Sequence, residues 1–427
     1  MEIKKAGGIL TQAGSPLQGV LRYTPVIVPT SGRLAASLAF LLLTSTAPVA
    51  LGQAAPQQSA APAVDTPADD PTTTRLFDGA MLGKLADVRA ALAARVAVDT
   101  PNDGHMTALG VAALYGHADI VTALIAAGAN VNADQAGETA LALAAQAGHV
   151  PVVEALLTAH ADITAKDKDG MTALMAAAAA NRAAVVRTLL SHDADANGAN
   201  PDGATALMAA AFGGHIDAAQ ALMAAGADVN SKDTSGRTPL MAAALGGNAA
   251  IARLLLERKA DLNAEDSGGS TALIYAAANG HLEFIDLMVK SGLTKGNDVA
   301  LAYSVRGCYT EVMRRLLDGG AKITGQIQGT PMLVLAASSN CLDAIDVLLA
   351  RGADVNGADE DGSTALMHAA GLGFVTIVQR LLDKGADLER TNKDRQSAWL
   401  MAAMGNQMEI VDIFKAYRAA HPSPEVR

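Results

Sequence analysis

Residues 201–233 read PDGATALMAAAFGGHIDAAQALMAAGADVNSKD, and most of the chain consists of variants of this stretch. The threonine before its first apolar run returns every 33 residues or nearly so. A fixed period of this length is typical of stacked repeat arrays, in which each repeat is one small structural unit. The residues that occupy this position are Thr107, Thr139, Thr172, Thr205, Thr238, Thr271, Thr364 and, as a serine, Ser397.

Each repeat carries the residues that start and stop two short helices. In residues 201–233, Asp202 and Gly203 predict a turn, and Thr205 predicts the N-cap of a first helix. Gly214 ends that helix, a second helix follows, and Gly226 predicts a left-handed cap at its end. The pattern predicts an all-α fold, an α-solenoid of about eleven helix-turn-helix repeats with hairpin turns between them.

The repeat closely resembles the ankyrin repeat. The resemblance rests on the T-x-L start of the first helix, the A-A-x-x-G-H segment between the helices and the G-A-D-V-N end, all present in residues 201–233. It implies an array that binds other proteins through its turn tips and inner helices, without catalysis. It also implies that the two residues before the glycine of A-A-x-x-G-H face a concave groove.

The composition narrows the classes of partner. The chain has 427 residues, of which 50% are hydrophobic but only 3% aromatic, which fits helices packed closely through small side chains. The formal net charge of −11 argues against nucleic acid and anionic membranes as partners. Two cysteines are too few for a disulfide framework.

The N-terminal residues predict export. An uncharged apolar run, residues 34–51, follows Arg33 and precedes Gly52, Gln53 and Ala54. This order predicts a secretory signal, residues 1–54, that is cleaved near Ala54 and leaves no membrane attachment; an uncleaved anchor is the alternative. The alanine-rich sequence indicates a bacterial source, so the predicted location is periplasmic or secreted. Residues 55–74, rich in proline, alanine and acids, predict a disordered tether.

Residues 75–420 form the predicted array, with a short tail at 421–427. We expect an N-terminal cap at 75–102, regular repeats at 103–294 and 327–391, an irregular repeat at 295–326, and a C-terminal cap at 392–420. In the irregular repeat Val299 takes the threonine position only 28 residues after Thr271. The shortened turn predicts a weak joint near residues 293–298. Asn340 is expected to keep the break between helices in the next repeat, because asparagine tolerates a positive φ.

Two series of equivalent side chains, one of histidines and one of methionines, could bind metal or react with oxidants, but each also has a structural explanation. His117, His149, His215 and His281 follow the central glycine of their repeats, but packed helices lie about 8–10 Å apart, whereas zinc ligands lie about 2 Å from the ion. We therefore expect these histidines to open each second helix, and we predict no metal site and no cofactor. Met175, Met208, Met241 and Met367 replace the histidine of the family's T-P-L-H motif and are expected to pack between repeats.

No motif for catalysis is present in the sequence: there is no phosphate-binding glycine loop, no G-x-S-x-G and no H-E-x-x-H. We therefore predict no catalytic residues and no enzymatic activity. Cys308 and Cys341 are predicted not to form an unstrained disulfide. The reason is that equivalent positions on packed helices, about 8–10 Å apart, exceed the Cα separation of about 7 Å that a disulfide spans. The alternative is that an oxidising compartment favours pairing and that the irregular joint around Val299 and Thr330 closes the gap between them.

The predicted function is that of a non-catalytic scaffold that binds a partner protein through the concave groove. The candidate partner-binding residues are Leu114, Tyr115, Phe212, Leu245, Asn279, Arg306 and Leu372. The candidate polar rim at the turn tips is Asp169, Asp202 and Asp361, which favours a partner with a basic face. Packing of the apolar residues against the tether or neighbouring hairpins is the structural alternative. The alternative function is a periplasmic protective protein that acts by methionine oxidation or metal capture.

Overall fold

The computed structural model describes residues 71–421, apart from positions 136, 293–295 and 328. The predicted signal, most of the predicted tether and residues 422–427 of the tail therefore lie outside the described residues. The first helix begins at Pro71, so the last part of the predicted tether, residues 71–74, is helical instead. By their contacts, the described residues form two compact bodies, 71–325 and 326–421.

The described residues form 22 helices in eleven successive pairs, which confirms the predicted all-α solenoid of repeats. The first helix of each pair is the inner helix: α1 Pro71–Leu82, α3 Ala108–Tyr115, α5 Ala140–Ala147, α7 Ala173–Ala179, α9 Ala206–Gly213, α11 Pro239–Leu245, α13 Ala272–Ala278, α15 Asn297–Arg306, α17 Met332–Ser338, α19 Ala365–Leu372 and α21 Ala398–Met404. The second is the outer helix: α2 Leu85–Ala93, α4 Ala118–Ala126, α6 Val150–Thr158, α8 Ala183–Ser191, α10 Ile216–Ala224, α12 Ala249–Glu257, α14 Leu282–Lys290, α16 Thr310–Asp318, α18 Leu342–Ala350, α20 Val375–Asp383 and α22 Met408–Ala420.

The predicted start and stop signals work as expected in the repeat at residues 201–233. The Thr205 hydroxyl accepts a hydrogen bond from the Met208 backbone N–H at 3.3 Å and so caps α9. Gly214, with φ of 75°, ends that helix, and Gly226, with φ of 86°, follows α10. Asn340 has φ of 57°, which confirms that it keeps the break in its repeat.

The turns between repeats are hairpins held by one acidic or amide side chain. The Asp167 carboxylate accepts hydrogen bonds from the backbone N–H groups of Asp169 at 2.9 Å and Met171 at 2.7 Å. A β-bridge between Lys166 and Thr172 closes the same turn. The corresponding residues in other hairpins are Asn200, Asp233, Asp266, Asp359 and Asn392. In the repeat that follows residue 325 the turn is a short antiparallel ladder of β1 Gln326–Ile327 and β2 Thr330–Pro331.

Inner helices of successive repeats pack directly against each other within each body, and small side chains make this possible. Ala210 and Ala211 of α9 are fully buried. A Cβ on Gly246 would lie 2.1 Å from the Phe212 carbonyl oxygen, so only glycine fits where α11 ends against α9. The four methionines that were predicted to pack between repeats are also buried: Met175, Met208, Met241 and Met367.

The irregular repeat differs from the prediction at its first residue. Val299 was expected in the capping position, but α15 begins two residues earlier, at Asn297, and Gly296 with φ of 79° precedes it. The positive φ of Gly296 completes the shortened turn, so Val299 lies inside the helix and is exposed. Helices α13 and α15 pack directly across this turn. The predicted weak joint falls partly on residues 293–295, outside the described residues, and stays a prediction.

The prediction that the two cysteines stay unpaired is wrong, because Cys308 and Cys341 are both disulfide-bonded. In the body of residues 71–325, the left-handed residue that ends one inner helix lies against the residue that opens the next repeat's outer helix. A Cβ on Gly116, for example, would lie 2.6 Å from the His149 ring. Cys308, with φ of 58°, follows the inner helix of its own repeat, and Cys341 directly precedes the outer helix of its own repeat. The separation of about 8–10 Å holds for equal positions on packed helices, and these positions are not equal.

The last repeat, predicted as the C-terminal cap, contains a pair of packed aromatic rings. The ring centroids of Trp399 and Phe414 are 6.0 Å apart, and Phe414 is fully buried. The Arg418 guanidinium lies 5.2 Å from the Trp399 ring and donates to the Glu389 carboxylate. These contacts close the end of the array.

Candidate functional site

The candidate groove residues occupy the two positions before the left-handed residue that ends each inner helix. In the body of residues 71–325, Tyr115 is 49% exposed and Asn279 is also exposed. Leu114, Phe212, Leu245 and Arg306 are half-buried, and so is Leu372 in the body of residues 326–421. Each side chain thus keeps some accessible surface, and Tyr115 keeps the most accessible apolar surface among them.

The backbone beneath these residues is held by a side chain from the next repeat. The Nε2 atom of His149 lies 3.0 Å from the Leu114 carbonyl oxygen, and that of His281 lies 3.2 Å from the Leu245 carbonyl oxygen. The Asn248 amide donates to the Phe212 carbonyl oxygen at 2.7 Å. The same bond is made by His117 to Met81, by Arg182 to Gln146 and by His215 to Ala179. The histidines therefore open the outer helices, as predicted, and also fix the ends of the inner helices.

These hydrogen bonds determine which ring nitrogen of each histidine carries the proton. A carbonyl oxygen only accepts, so each bonded Nε2 carries a proton and donates it. Burial lowers the pKa of His215, against the opposing effect of its bond to Ala179. In the described part of the chain, no three histidine, cysteine or acidic side chains lie close enough together to hold a metal ion.

Two residues missed by the sequence reasoning belong to the same row of positions. Met81 and Leu82 end α1, directly before Gly83, and are 39% and 56% exposed. The sequence contains the residue that marks these two positions, because Gly83 occupies the place of the central glycine in the other repeats. A terminal repeat is expected to cover the end of the array, and this expectation gives no reason to examine the two positions before Gly83 as a binding surface.

The turn tips present carboxylates. Asp169 and Asp361 are exposed and Asp202 is half-buried. Their backbone N–H groups are bonded to the side chains of the turn residues Asp167, Asp359 and Asn200, respectively. Nearby, burial raises the pKa of Glu138, and the charges of Asp167 and Asp169 raise it further against the effect of Lys168. The hairpins at residues 134–139 and 166–172 therefore carry charges of both signs, with Asp134, Glu138, Asp167 and Asp169 beside Lys166 and Lys168.

A second group of polar side chains lies inside the fold. Arg237 donates to the Asp233 carboxylate at 2.8 Å, and both side chains are buried. The Tyr275 hydroxyl donates to Asp266, and burial together with this bond raises the pKa of Tyr275. The first pair closes its own hairpin, and the second joins a hairpin to the inner helix α13, so the role of both pairs is structural.

The outer helices carry a shallow cavity of about 510 Å³. Its apolar lining consists of Ile216 of α10, Ala249, Ala250 and Leu254 of α12, and Leu287 of α14. Charges of both signs line it, namely Arg253, Lys290, Glu283 and Asp286. This mixture favours neither an anionic nor a cationic ligand. No described helix is both long and apolar enough to cross a membrane.

Comparison with known proteins identifies the type of repeat but no individual relative. The search of curated proteins finds no match. The family model described as ankyrin repeats (3 copies) matches residues 76–167, 156–233, 222–299 and 333–423, which together make up more than half of the chain. Proteins of this kind are generally non-catalytic scaffolds that bind other proteins. The helix pairs, the hairpins and this match show that the chain belongs to the ankyrin-repeat family.

Proposed function

We propose that this protein is a non-catalytic scaffold, exported to the periplasm or secreted, that binds a partner protein through the concave groove and the turn tips. The observation that carries the proposal is the exposed ring of Tyr115, 49% accessible in a position that the resemblance assigns to the groove. Neighbouring repeats fill this position with small residues such as Ala147 and Ala180. The ring is therefore not required by the packing of the array, and large accessible aromatic side chains are typical of binding surfaces.

The proposed apolar anchors are Tyr115, Phe212 and Leu245 in the body of residues 71–325, and Leu372 occupies the corresponding position in the body of residues 326–421. Leu114, Asn279 and Arg306 add contacts beside them. Interfaces concentrate their free energy in a few such side chains, each worth about 2 kcal/mol or more on truncation. The carboxylates of Asp169, Asp202 and Asp361 form a polar rim that favours a partner with a basic face. The bonds from the next repeat's side chains hold the backbone of this surface in place.

Export is supported by two independent features. The sequence of residues 34–54 has the order of a secretory signal. Both cysteines are disulfide-bonded, which fits an oxidising compartment such as the periplasm. N-terminal sequencing of the protein from its native host tests this part. A mature N-terminus near residue 55 is expected, and an intact apolar segment 34–51 in a membrane fraction would contradict it.

The alternative function by methionine oxidation gains no support from the structure. Met175, Met208, Met241 and Met367 are buried between helices. The Met175 and Met367 sulfurs accept hydrogen bonds from the backbone N–H groups of Thr172 and Thr364. An oxidant sink requires accessible sulfur, and these four side chains have packing and capping roles instead.

Truncation of two anchors tests the groove. The native partner is first captured by cross-linking in the native compartment and identified. The double variant Tyr115→Ala/Phe212→Ala should then bind it at least about tenfold more weakly, a loss of about 1.4 kcal/mol or more. Ile216→Ala, which truncates an exposed apolar side chain on an outer helix, is the matched control and should bind normally. Full affinity of a folded double variant would place the binding surface elsewhere.

A further inference from the structure

One face of the inner helix of the last repeat, α21, is apolar and exposed. Leu400 and Met404 are 43% and 37% exposed, and Ala403 beside them is exposed as well. Their spacing of three and four residues brings the three side chains together on one side of a helix. The packed rings of Trp399 and Phe414 join α21 to α22 and leave these side chains accessible. We call Leu400, Ala403 and Met404 the C-terminal apolar face.

In earlier repeats the position of Leu400, three residues after the capping threonine or serine, contacts the repeat that follows. Gly110 and Ile274 occupy this position. A Cβ on Gly110 would lie 2.1 Å from the side chain of Gln135, and a Cβ on Gly296 would lie 3.4 Å from the Ile274 side chain. Gln135 and Gly296 both belong to the next repeat. The face of α21 that carries Leu400 is therefore the stacking face of a repeat.

Burial in the other repeats shows how much of this face stacking covers. Met208 and Met241, at the position of Leu400, are 2% and 0% exposed. Ala211 and Ala244, three residues further along, are fully buried, whereas Ala403 is exposed. The last described repeat thus presents to solvent the side chains that its predecessors bury.

The first repeat has a different surface at the corresponding place. Between Pro71 and Asp78, the exposed side chains of α1 are Pro71, Thr74, Arg75 and Asp78, which recur at a helical spacing. A polar outer face of this kind is what terminal repeats of a stacked array need for solubility. The C-terminal apolar face has no such groups, and contiguous exposed apolar side chains are typical of contacts with another protein surface.

The occupant that fits a stacking face is another stacking face. The first repeat of a second copy would bury Arg75 and Asp78 against apolar side chains, which costs free energy. Residues 422–427, PSPEVR, offer Val426 as their one aliphatic side chain. The last repeat of a second copy offers the same apolar face, and its net charge is +1 with neutral histidine, so two such repeats meet without the repulsion expected from the chain's total of −11. The charges of both signs around the face are Lys393, Asp394, Arg395, Glu409, Asp412, Lys415 and Arg418.

We propose that the C-terminal apolar face binds the same face of a second copy of this chain in a two-fold symmetric dimer. The contact has the size of one helix pair: α22 has 13 residues and is about 20 Å long, and two helices about 10 Å wide give about 400 Å² per copy. This area is small for a specific interface, so the dimer should dissociate readily, with a Kd in the micromolar range. The proposal is independent of the groove, and its test does not involve the partner protein.

Sedimentation velocity of the full chain tests the dimer. The mean mass should rise from that of one chain towards that of two as the concentration increases from about 1 μM to about 100 μM. Leu400→Glu/Met404→Glu brings carboxylates of the two copies together and should weaken association at least about tenfold. The matched control is Ile216→Glu, which changes an exposed apolar side chain of α10 and should associate normally. Circular dichroism shows whether each variant is folded. A parent chain that stays monomeric over this range would overturn the proposal, as would unchanged association of the folded double variant.

Photo-cross-linking identifies the occupant without destabilising the repeat. With a photoreactive analogue at Leu400, the purified chain should give adducts of twice its mass in which both joined peptides come from residues 392–421. Adducts to residues 71–82 of a second copy, or to residues 1–70 or 422–427 of the same chain, would contradict the two-fold contact. Oxidation of Met404 by peroxide should also slow as the protein concentration rises, whereas oxidation of Met81, in the first repeat, should not. Equal concentration dependence at the two methionines would contradict the proposal.

Discussion

The Nε2 atom of His149 lies 3.0 Å from the carbonyl oxygen of Leu114, which belongs to the inner helix of the preceding repeat. The histidine therefore joins two repeats and holds the last turn of α3, which carries Leu114 and Tyr115. Because successive repeats are stabilised mainly by their contacts with neighbours, a bond of this kind contributes to the whole array.

Removal of this bond should destabilise the array without unfolding it. We expect His149→Ala to lower the free energy of unfolding by about 0.5–1.5 kcal/mol, the net value of a typical intramolecular hydrogen bond. His149→Asn is the matched control, since Asn248 makes the equivalent bond to Phe212 at 2.7 Å. Urea unfolding followed by circular dichroism measures both variants. Equal stability of the alanine and asparagine variants would show that the bond contributes nothing.

Breaking the buried ion pair of Arg237 and Asp233 should lower the free energy of unfolding more than removal of the His149 bond does. Arg237→Ala leaves the Asp233 carboxylate buried without its cation, at an expected cost of about 3–5 kcal/mol. The second variant, Arg237→Ala/Asp233→Asn, removes that charge and keeps an amide oxygen to accept from the N–H groups of Ser235 and Arg237, as Asn200 does in its own hairpin. It should recover part of the loss in chemical denaturation. A single variant as stable as the parent chain would contradict this account of the hairpin.

Glu138 predicts a pH-dependent stability. Its pKa is raised in the folded protein by burial first and by the charges of Asp167 and Asp169 second. The carboxyl group is therefore most compatible with folding when it is protonated, below its unfolded pKa, and this contribution is lost as the pH rises through the folded pKa. Glu138→Gln should raise the Tm at pH 7 and change it little at pH 3.5. Thermal scans at both pH values measure the difference, and an equal shift at the two would exclude the electrostatic cause.

Methionine oxidation should follow exposure. Met81, Met404 and Met408 are exposed, whereas Met175, Met208, Met241 and Met367 are buried. With dilute hydrogen peroxide under native conditions, the first three should form sulfoxide several times faster than the last four. Peptide mass spectrometry gives each rate. Faster oxidation of the buried four in the folded protein would revive a role for them as an oxidant sink.

The repeat array could be predicted from the sequence because the residues that start and end each helix act within a single repeat. Thr205 caps its helix and Gly214 ends it through atoms within the same repeat, so the period alone locates them. The features that were missed depend on the neighbouring repeat. The bond from His149, for example, reaches back 35 residues to the preceding repeat.

The candidate site could be predicted as a row of positions but not as a surface. Tyr115 proved the most accessible of its apolar candidates, and Phe212, Leu245 and Leu372 are half-buried, which depends on how closely successive helices pack. Gly246 allows α11 to approach the Phe212 carbonyl oxygen, and such an approach has no local signal. Met81 and Leu82 were overlooked because a terminal repeat was expected only to cover the end of the array.

Site-specific photo-cross-linking in the native host tests the central claim, that a partner protein binds in the groove. A photoreactive phenylalanine analogue at Phe212 places the probe at a proposed groove position, and the same analogue at Gln220, an exposed residue of α10, places it on the outer helix of the same repeat. Irradiation and mass spectrometry should identify one protein joined at position 212 and absent at position 220, and its contacting peptide should carry apolar and basic residues. Adducts of the same protein at position 220 with none at position 212 would contradict the account.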